Sequence, residues 1–158
     1  ASDVYKRQAL DCPQSDVSAM VIGGHSDTGM LPLTRIATRN SIRISELLSS
    51  ERLEEVSKAT MVGGATLTGM LGTSAWYAPG AAVSAMVHAI ATNSKKMFPC
   101  SAFLDGEYGL SDISIGVPCI IGKNGIEKIV EIELAETEQA KLEESAAAVS
   151  KTNKLLEA

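Results

Sequence analysis

A short segment near the start of the chain contains the residue types best suited to proton transfer. Residues 23–33 read Gly-Gly-His-Ser-Asp-Thr-Gly-Met-Leu-Pro-Leu and follow the apolar run 17–22, which predicts a buried strand ending in a tight turn. Catalytic groups are often held on loops at strand ends. Imidazole has an ordinary pKa that lets it give and take protons near neutrality. His25 is therefore a candidate catalytic residue, with structural hydrogen bonding as the alternative.

Other chemistries have weaker support in the sequence. Ser26, His25 and Asp27 are neighbours in the chain, whereas a hydrolase triad assembles from distant positions. The stretch 63–72 has GxxxxG spacing but no lysine and hydroxyl residue after it, so we interpret it as helix ends and packing rather than a phosphate loop. No GxGxxG motif is present. Three cysteines without CxxC spacing and only two histidines predict no metal site.

The composition is that of one globular domain. Of 158 residues, 45% are hydrophobic and 21% charged, which excludes a disordered chain, a collagen and a coiled-coil rod. A net charge of −5 without a basic cluster, and only 4% aromatic residues, predict no nucleic-acid partner. The absence of a long apolar run predicts no membrane partner. The thiols of Cys12, Cys100 and Cys119 are typical of a reducing compartment, so we predict a cytoplasmic protein.

The elements that must position His25 are predicted to be helices packed on a largely antiparallel sheet, an α+β domain. Strands are predicted over 97–104 and 113–121, and an Asn-Gly pair predicts a hairpin from there into 126–134. The pieces 33–39 and 42–47 indicate a further hairpin. Three helices are predicted. The first is capped by Ser49 or Ser50 and stops at Gly63-Gly64. The second covers 75–92 with Pro79 in its first turn, and the third covers 137–157 and is capped by Thr137.

Several segments, in order, carry a family resemblance. The segment 23–33 resembles the catalytic-histidine signature Gly-Gly-His-Gly-Asp-Thr/Ser of the malate/lactate dehydrogenase family, with Ser26 where glycine is commonest. Residues 73–82, Thr-Ser-Ala-Trp-Tyr-Ala-Pro-Gly-Ala-Ala, resemble the helix start Gly-Ser-Ala-Tyr-Tyr-Ala-Pro-Ala of the malate dehydrogenases built like lactate dehydrogenase. The segments that resemble the family's C-terminal β-region are 106–109, 115–118 and 122–129.

The resemblance implies a domain assignment and an activity. Residues 9–158 correspond to the C-terminal catalytic domain, preceded by an unmatched segment 1–8. The implied reaction is the reversible, NAD-dependent oxidation of (S)-malate to oxaloacetate, with His25 as proton donor and acceptor. Gly24, Ala75 and Pro79 match positions that line the substrate and nicotinamide pocket; helix start and packing are the alternative roles of the last two. A homo-oligomer is also implied.

The family features that precede its histidine have no matching positions here. They are the aspartate that orients the histidine, the arginines that clamp the substrate carboxylates, and the dinucleotide fold. NAD is therefore expected to bind mainly to an N-terminal half outside this chain. Arg35, Arg39 and Arg43 follow the histidine and are not assigned as clamps. The first residues lack an initiator methionine and resemble no signal peptide, so we expect the chain to begin inside a longer one.

Two alternatives to malate dehydrogenase stay open at this point. One is lactate dehydrogenase, because in this family substrate choice is set largely in the half that is not matched. The other is an inactive, oligomer-forming fragment in which the alanine-rich helix 75–92 forms a subunit interface and His25 has no catalytic role.

Overall fold

The computed structural model describes residues 9–156. Its strands are β1 (Val17–Ser18), β2 (Val21–Gly23), β3 (Met30–Pro32), β4 (Thr38–Arg39), β5 (Ile42–Arg43), β6 (Lys96–Asp105), β7 (Ser111–Gly122) and β8 (Gly125–Ile129). Its helices are α1 (Ile44–Leu47), α2 (Ser50–Leu71), α3 (Tyr77–Ala91) and α4 (Glu136–Asn153). The segment 1–8, which the resemblance leaves unmatched, lies outside the described residues.

An antiparallel sheet forms the centre of the fold. Its strand order is β3-β2-β7-β6, with β8 also paired to β7, and every pairing is antiparallel. Buried and exposed residues alternate along β6, as expected where one face of a sheet meets the core and the other does not. A smaller sheet has the order β1-β4-β5. The predicted α+β class and largely antiparallel sheet are therefore confirmed.

The core lies between the central sheet and the helices α3 and α4. It is built from buried aliphatic side chains of β2, β6 and β7, together with Leu142 and Ala146 of α4 and Ala89 of α3. None of the helices in residues 9–156 has the length and apolarity needed to cross a membrane.

Two predicted segments near the N-terminus differ from the structure. The run 17–22 forms two short strands, β1 and β2, which belong to different sheets. The predicted hairpin is confined to β4 and β5, and its turn at Asn40 and Ser41 has positive φ values of 45° and 71°. Residues at these φ values give the twist that tight hairpins prefer, so the turn was correctly placed while the strands are shorter than predicted.

The first long helix does not stop at Gly63-Gly64. It begins after Ser49, whose side chain accepts a hydrogen bond from the Arg52 amide at 3.3 Å, as the sequence predicts. It then continues to Leu71 and ends at Gly72, which has a left-handed φ of 67°. Glycine inside a helix costs only about 1 kcal/mol. Gly63 lies on the buried face that also carries Val56 and Thr60, so packing offsets that cost.

The last helix begins one residue earlier than predicted and is not capped by Thr137. The Glu138 carboxylate accepts a hydrogen bond from the Ala135 amide at 2.8 Å, which is the glutamate half of a capping box. The described helix ends at Asn153, followed by a short 3-10 turn. Its predicted end at Glu157 lies outside the described residues.

Tyr108 joins the turn between β6 and β7 to the segment that leads into α4. Its side chain is buried, and its hydroxyl donates to the Val130 carbonyl at 2.8 Å while accepting from the Ile132 amide at 3.1 Å. Burial raises the pKa of this phenol. The Glu131 carboxylate accepts from the Tyr108 amide at 2.7 Å, so side chain and backbone fix the same junction.

Replacing Tyr108 by phenylalanine is expected to lower the free energy of unfolding by about 1–3 kcal/mol, because two backbone groups lose their hydrogen-bond partner. Urea unfolding measures the change. Tyr77→Phe is the matched control, since that side chain is 91% exposed and its variant should unfold like the parent. Equal midpoints for the two variants would contradict the stabilising role of the Tyr108 hydroxyl.

Candidate active site

A cleft of about 530 Å³ opens beside His25. It lies between β2 and parts of β6 and β7, while α2 contributes Thr60 and Gly64 and α4 contributes Val149. Its walls contain four glycines, Gly23, Gly24, Gly64 and Gly116, which leave backbone at the surface. The other lining residues are mainly apolar: Val21, Ile22, Met30, Thr60, Pro99, Cys100, Ser101, Ser114, Ile115 and Val149.

Two glycines bring the strand before His25 unusually close to its neighbours. Gly23 has φ +92°, and a Cβ there would lie 2.3 Å from the Gly29 carbonyl oxygen. Gly116 pairs with Gly23 across β7 and β2, and its own Cβ would lie 2.6 Å from the Gly23 carbonyl oxygen. Larger residues cannot be placed at either position without moving backbone. The double glycine therefore lets the chain turn sharply at the edge of the cleft.

The loop that follows is held by hydrogen bonds between its own residues. The Ser26 amide donates to the Gly24 carbonyl at 3.0 Å, and the Gly29 amide donates to the Ser26 hydroxyl at 2.9 Å. The Met30 amide donates a hydrogen bond to the Ser26 carbonyl at 3.1 Å. Ser26, at the position where the family signature has glycine, is thus the residue that organises the turn. Within residues 9–156 the Asp27 carboxylate makes no hydrogen bond or ion pair, so it has no part in holding the turn.

A second set of bonds ties this loop to the last helix. The Ser145 hydroxyl on α4 accepts from the Gly24 amide at 2.8 Å and donates to the Gly29 carbonyl at 2.8 Å. The residue was missed at the sequence level. Its signal is the stripe Leu142, Ser145, Ala146 and Val149, which places one hydroxyl on an otherwise apolar helical face.

His25 itself is exposed at the rim of the cleft. Within the described part of the chain its ring makes no hydrogen bond or ion pair. The backbone on either side is fixed, while the imidazole is available to a molecule in the cleft. An exposed, unengaged ring on a fixed loop is suited to exchanging a proton with a ligand and gives no support to a purely structural role.

The other residues assigned to the pocket are placed differently. Gly24 lines the cleft beside His25. Ala75 precedes α3 and is half-buried, while Pro79 is exposed in the first turn of that helix, and neither lines this cleft. The structure therefore brings Gly24 and His25 together but not Ala75 and Pro79, whose geometry fits the alternative of a helix start.

Two of the three arginines that follow His25 have structural partners. Arg35 donates to the Glu133 carbonyl at 2.6 Å and forms an ion pair with the Glu138 carboxylate at 3.1 Å. Arg39 donates to the Leu10 carbonyl at 3.3 Å. Arg43 is exposed on β5. These three arginines also lie outside the residues that line the cleft, which agrees with leaving them out of the substrate clamp.

The thiols near the cleft are poor nucleophiles. Burial raises the pKa of Cys100, which lines the cleft, and raises the pKa of Cys119 behind it to about 11. A thiol with such a pKa stays protonated at neutral pH. Among residues 9–156 no group of three or more histidine, cysteine, aspartate or glutamate side chains is arranged to hold a metal ion. Of the side chains that line the cleft, the His25 imidazole is of the type best suited to proton transfer near neutral pH.

Comparison with known proteins identifies the family. The family described as lactate/malate dehydrogenase, alpha/beta C-terminal domain, matches residues 4–158. The chain belongs to the lactate/malate dehydrogenase family. The resemblance carried by segments 23–33 and 73–82 is thereby confirmed.

Relatives and solved structures agree with this assignment. Malate dehydrogenase of Parabacteroides distasonis is 61% identical over 152 residues, which cover 96% of this chain and 49% of the relative. Malate dehydrogenase of Bacteroides fragilis is 62% identical over 152 residues, with the same two shares. The structure of malate dehydrogenase from Salinibacter ruber matches with a TM-score of 0.94 and 40% identity, covering 99% of this chain and 51% of that one.

A lactate dehydrogenase has nearly the same fold. The enzyme from Cryptosporidium parvum, solved with lactic acid and nicotinamide adenine dinucleotide, matches with a TM-score of 0.93 and 36% identity, covering 99% of this chain and 51% of that one. Fold alone therefore does not separate the two activities. The present chain spans about half the length of the dehydrogenases it matches.

Proposed function

We propose that this chain is the catalytic half of an NAD-dependent malate dehydrogenase, in which His25 transfers the proton. The observation that carries the proposal is the exposed imidazole of His25 at the rim of a cleft, on a loop whose backbone is fixed at both ends. Curated relatives at 61% and 62% identity are named malate dehydrogenase, which supports malate over lactate.

His25 is suited to both directions of the reaction. In its protonated form it donates a proton to the carbonyl oxygen of oxaloacetate, and the product is the hydroxyl group of malate. In the reverse direction its neutral ring accepts that hydroxyl proton. When bound, NADH would supply the hydride that adds to the carbonyl carbon as this proton reaches the oxygen, and NAD⁺ would accept it in the reverse direction. Imidazole is stable in both states near neutral pH, so one side chain can serve the whole cycle.

The cleft fits only part of the cofactor. The cleft beside His25 has a volume of about 530 Å³, which would suit a group of the size of a nicotinamide ring. The pyrophosphate needs free backbone amides at a glycine-rich turn between a strand and a helix. The glycine-rich stretch of this chain, 63–72, is instead the second half of α2 and its end. We therefore propose that NAD is bound mainly by a dinucleotide-binding half that completes the enzyme.

An apolar surface on α2 and α3 supports an assembly. Its exposed large side chains are Val62, Leu67, Met70, Leu71, Trp76, Tyr77, Val83 and Val87. Large apolar side chains exposed in this number along two successive helices are typical of a surface that a partner covers. We propose that the dinucleotide-binding half and further copies of the chain cover it, so that the enzyme is a homo-oligomer. This surface includes the region of Ala75 and Pro79, which we propose to line a pocket that only the complete enzyme forms.

The cysteines support a location. Cys12, Cys100 and Cys119 are buried and form no disulfide. Free buried thiols are favoured in a reducing compartment, so we propose that the enzyme works in the cytoplasm.

The activity is tested with the full-length protein that contains this chain. Consumption of NADH is followed with oxaloacetate and, separately, with pyruvate at equal concentrations. We expect kcat/KM to be higher for oxaloacetate. A preference for pyruvate would make the protein a lactate dehydrogenase. Turnover of neither substrate by the folded protein would favour the inactive, oligomer-forming role.

A further inference from the structure

Among the side-chain hydrogen bonds of residues 9–156, those of the Ser145 hydroxyl reach both ends of the His25 loop from outside it. Ser145 lies on α4 with 5% of its surface exposed. A serine hydroxyl has one hydrogen to donate and lone pairs to accept with. Here the hydrogen goes to the Gly29 carbonyl and a lone pair receives the Gly24 amide, each at 2.8 Å. The two backbone groups flank the turn that carries His25.

Three glycines make room for this hydroxyl. A Cβ at Gly23, Gly24 or Gly29 would lie 3.3, 3.2 or 3.2 Å from the Ser145 oxygen, which is tighter than ordinary packing. The glycines of the histidine segment thus have a second role besides the sharp turn. They let the loop backbone approach the helix closely enough for two direct hydrogen bonds.

Within residues 9–156 the Ser145 hydroxyl is the hydrogen-bond partner of both backbone groups. Gly24 and Gly29 are both buried, so an amide and a carbonyl released from Ser145 stay shielded from water. A buried backbone group that loses its partner is costly, and the loop would shift to satisfy it. His25 lies one residue after Gly24, so such a shift moves the imidazole directly.

We propose that Ser145 is a positioning residue for His25: through Gly24 and Gly29 it sets where the imidazole meets the substrate. The inference rests on the proposed function in one respect, namely that His25 transfers the proton. It adds Ser145, which is far from His25 in sequence. In this proposal Ser145 itself touches neither substrate nor cofactor. A displacement of about 1 Å can cost about 100-fold in rate, so the effect falls on the chemical step.

The test compares Ser145→Ala with Ser150→Ala in the full-length protein. Ser150 is half-buried on the same helix, and within residues 9–156 its side chain makes no hydrogen bond. We expect Ser145→Ala to lower kcat by about 10- to 100-fold while KM for NADH stays within about twofold. Ser150→Ala should keep the kcat of the parent. Activity is expressed per folded molecule, so a loss of stability alone does not count as an effect.

Hydrogen–deuterium exchange of peptides covering 23–30 gives a readout independent of turnover. Exchange there should become faster in Ser145→Ala and stay unchanged in Ser150→Ala. Unchanged exchange in Ser145→Ala, or faster exchange with an unchanged kcat, would overturn the positioning role. Should Ser145→Ala not fold, Ser145→Cys takes its place, because a thiol has similar size and is a weak hydrogen-bond donor.

If the proposed function is wrong, the turnover and exchange measurements give a different combination of results. If the parent protein turned over neither substrate, the proposed dehydrogenase activity and the catalytic part of this inference would both be wrong. The exchange measurement would still report whether Ser145 fixes the loop.

Discussion

Replacing His25 by asparagine is expected to lower kcat of the complete enzyme by roughly 10²–10⁴, the usual contribution of general acid–base catalysis. Asparagine retains polarity and approximate size but cannot exchange a proton at neutral pH. Because His25 is exposed and its ring makes no hydrogen bond or ion pair within residues 9–156, the folded structure should be little affected. The measurement is steady-state kinetics with oxaloacetate and NADH, together with a thermal melt of the variant.

His88 provides the control for this substitution. It lies exposed on α3, away from the cleft. His88→Ala should therefore keep the kcat of the parent. Parent-like activity of His25→Asn would remove His25 from the reaction. A severe loss of turnover in a folded His88→Ala variant would show that the wrong histidine had been chosen.

The 158-residue chain produced without any other polypeptide is expected to show no saturable NADH binding and no reduction of oxaloacetate. The reason is the helical conformation of the glycine-rich stretch 63–72. Its residues belong to α2 and its end, and the amides of a helix interior are already bonded to carbonyls of the preceding turn. No other glycine-rich turn between a strand and a helix is found in residues 9–156 to receive a pyrophosphate.

A fluorescence titration of NADH against the isolated chain tests this expectation. The full-length protein, titrated in the same buffer, is the positive control. Saturable micromolar binding to the isolated chain would reveal a nucleotide site in this half and would contradict the proposed division of roles. Absence of binding to the full-length protein would instead count against NAD as the cofactor.

Elements with local signals could be predicted from the sequence. Strand β6 alternates buried and exposed residues, and the Ser49 cap and the turn at Asn40 and Ser41 depend on neighbouring residues. The end of α2 could not be predicted in this way. Glycine weakens a helix only modestly, so burial of Gly63 against the core decided whether the helix continued.

The residues of the candidate site also differ in whether their signal in the sequence is local. His25 could be found because a strand, a double glycine and a histidine are consecutive in the chain. For Ser145 the apolar stripe indicates only that its hydroxyl is buried, because its partners lie 121 and 116 residues away and no local pattern identifies them. The role of Gly116 is equally hidden, since it follows from the register of β2 against β7.

The link between Ser145 and Gly24 also sets an order of events during synthesis. The histidine loop leaves the ribosome 121 residues before the serine that fixes it. A contact of such long sequence separation forms late, after local helices and hairpins. Until α4 docks, the turn around His25 has only its internal hydrogen bonds. While those 121 residues are synthesised, the nascent chain therefore carries a histidine loop that is not yet fixed, and the docking of α4 completes its hydrogen bonds.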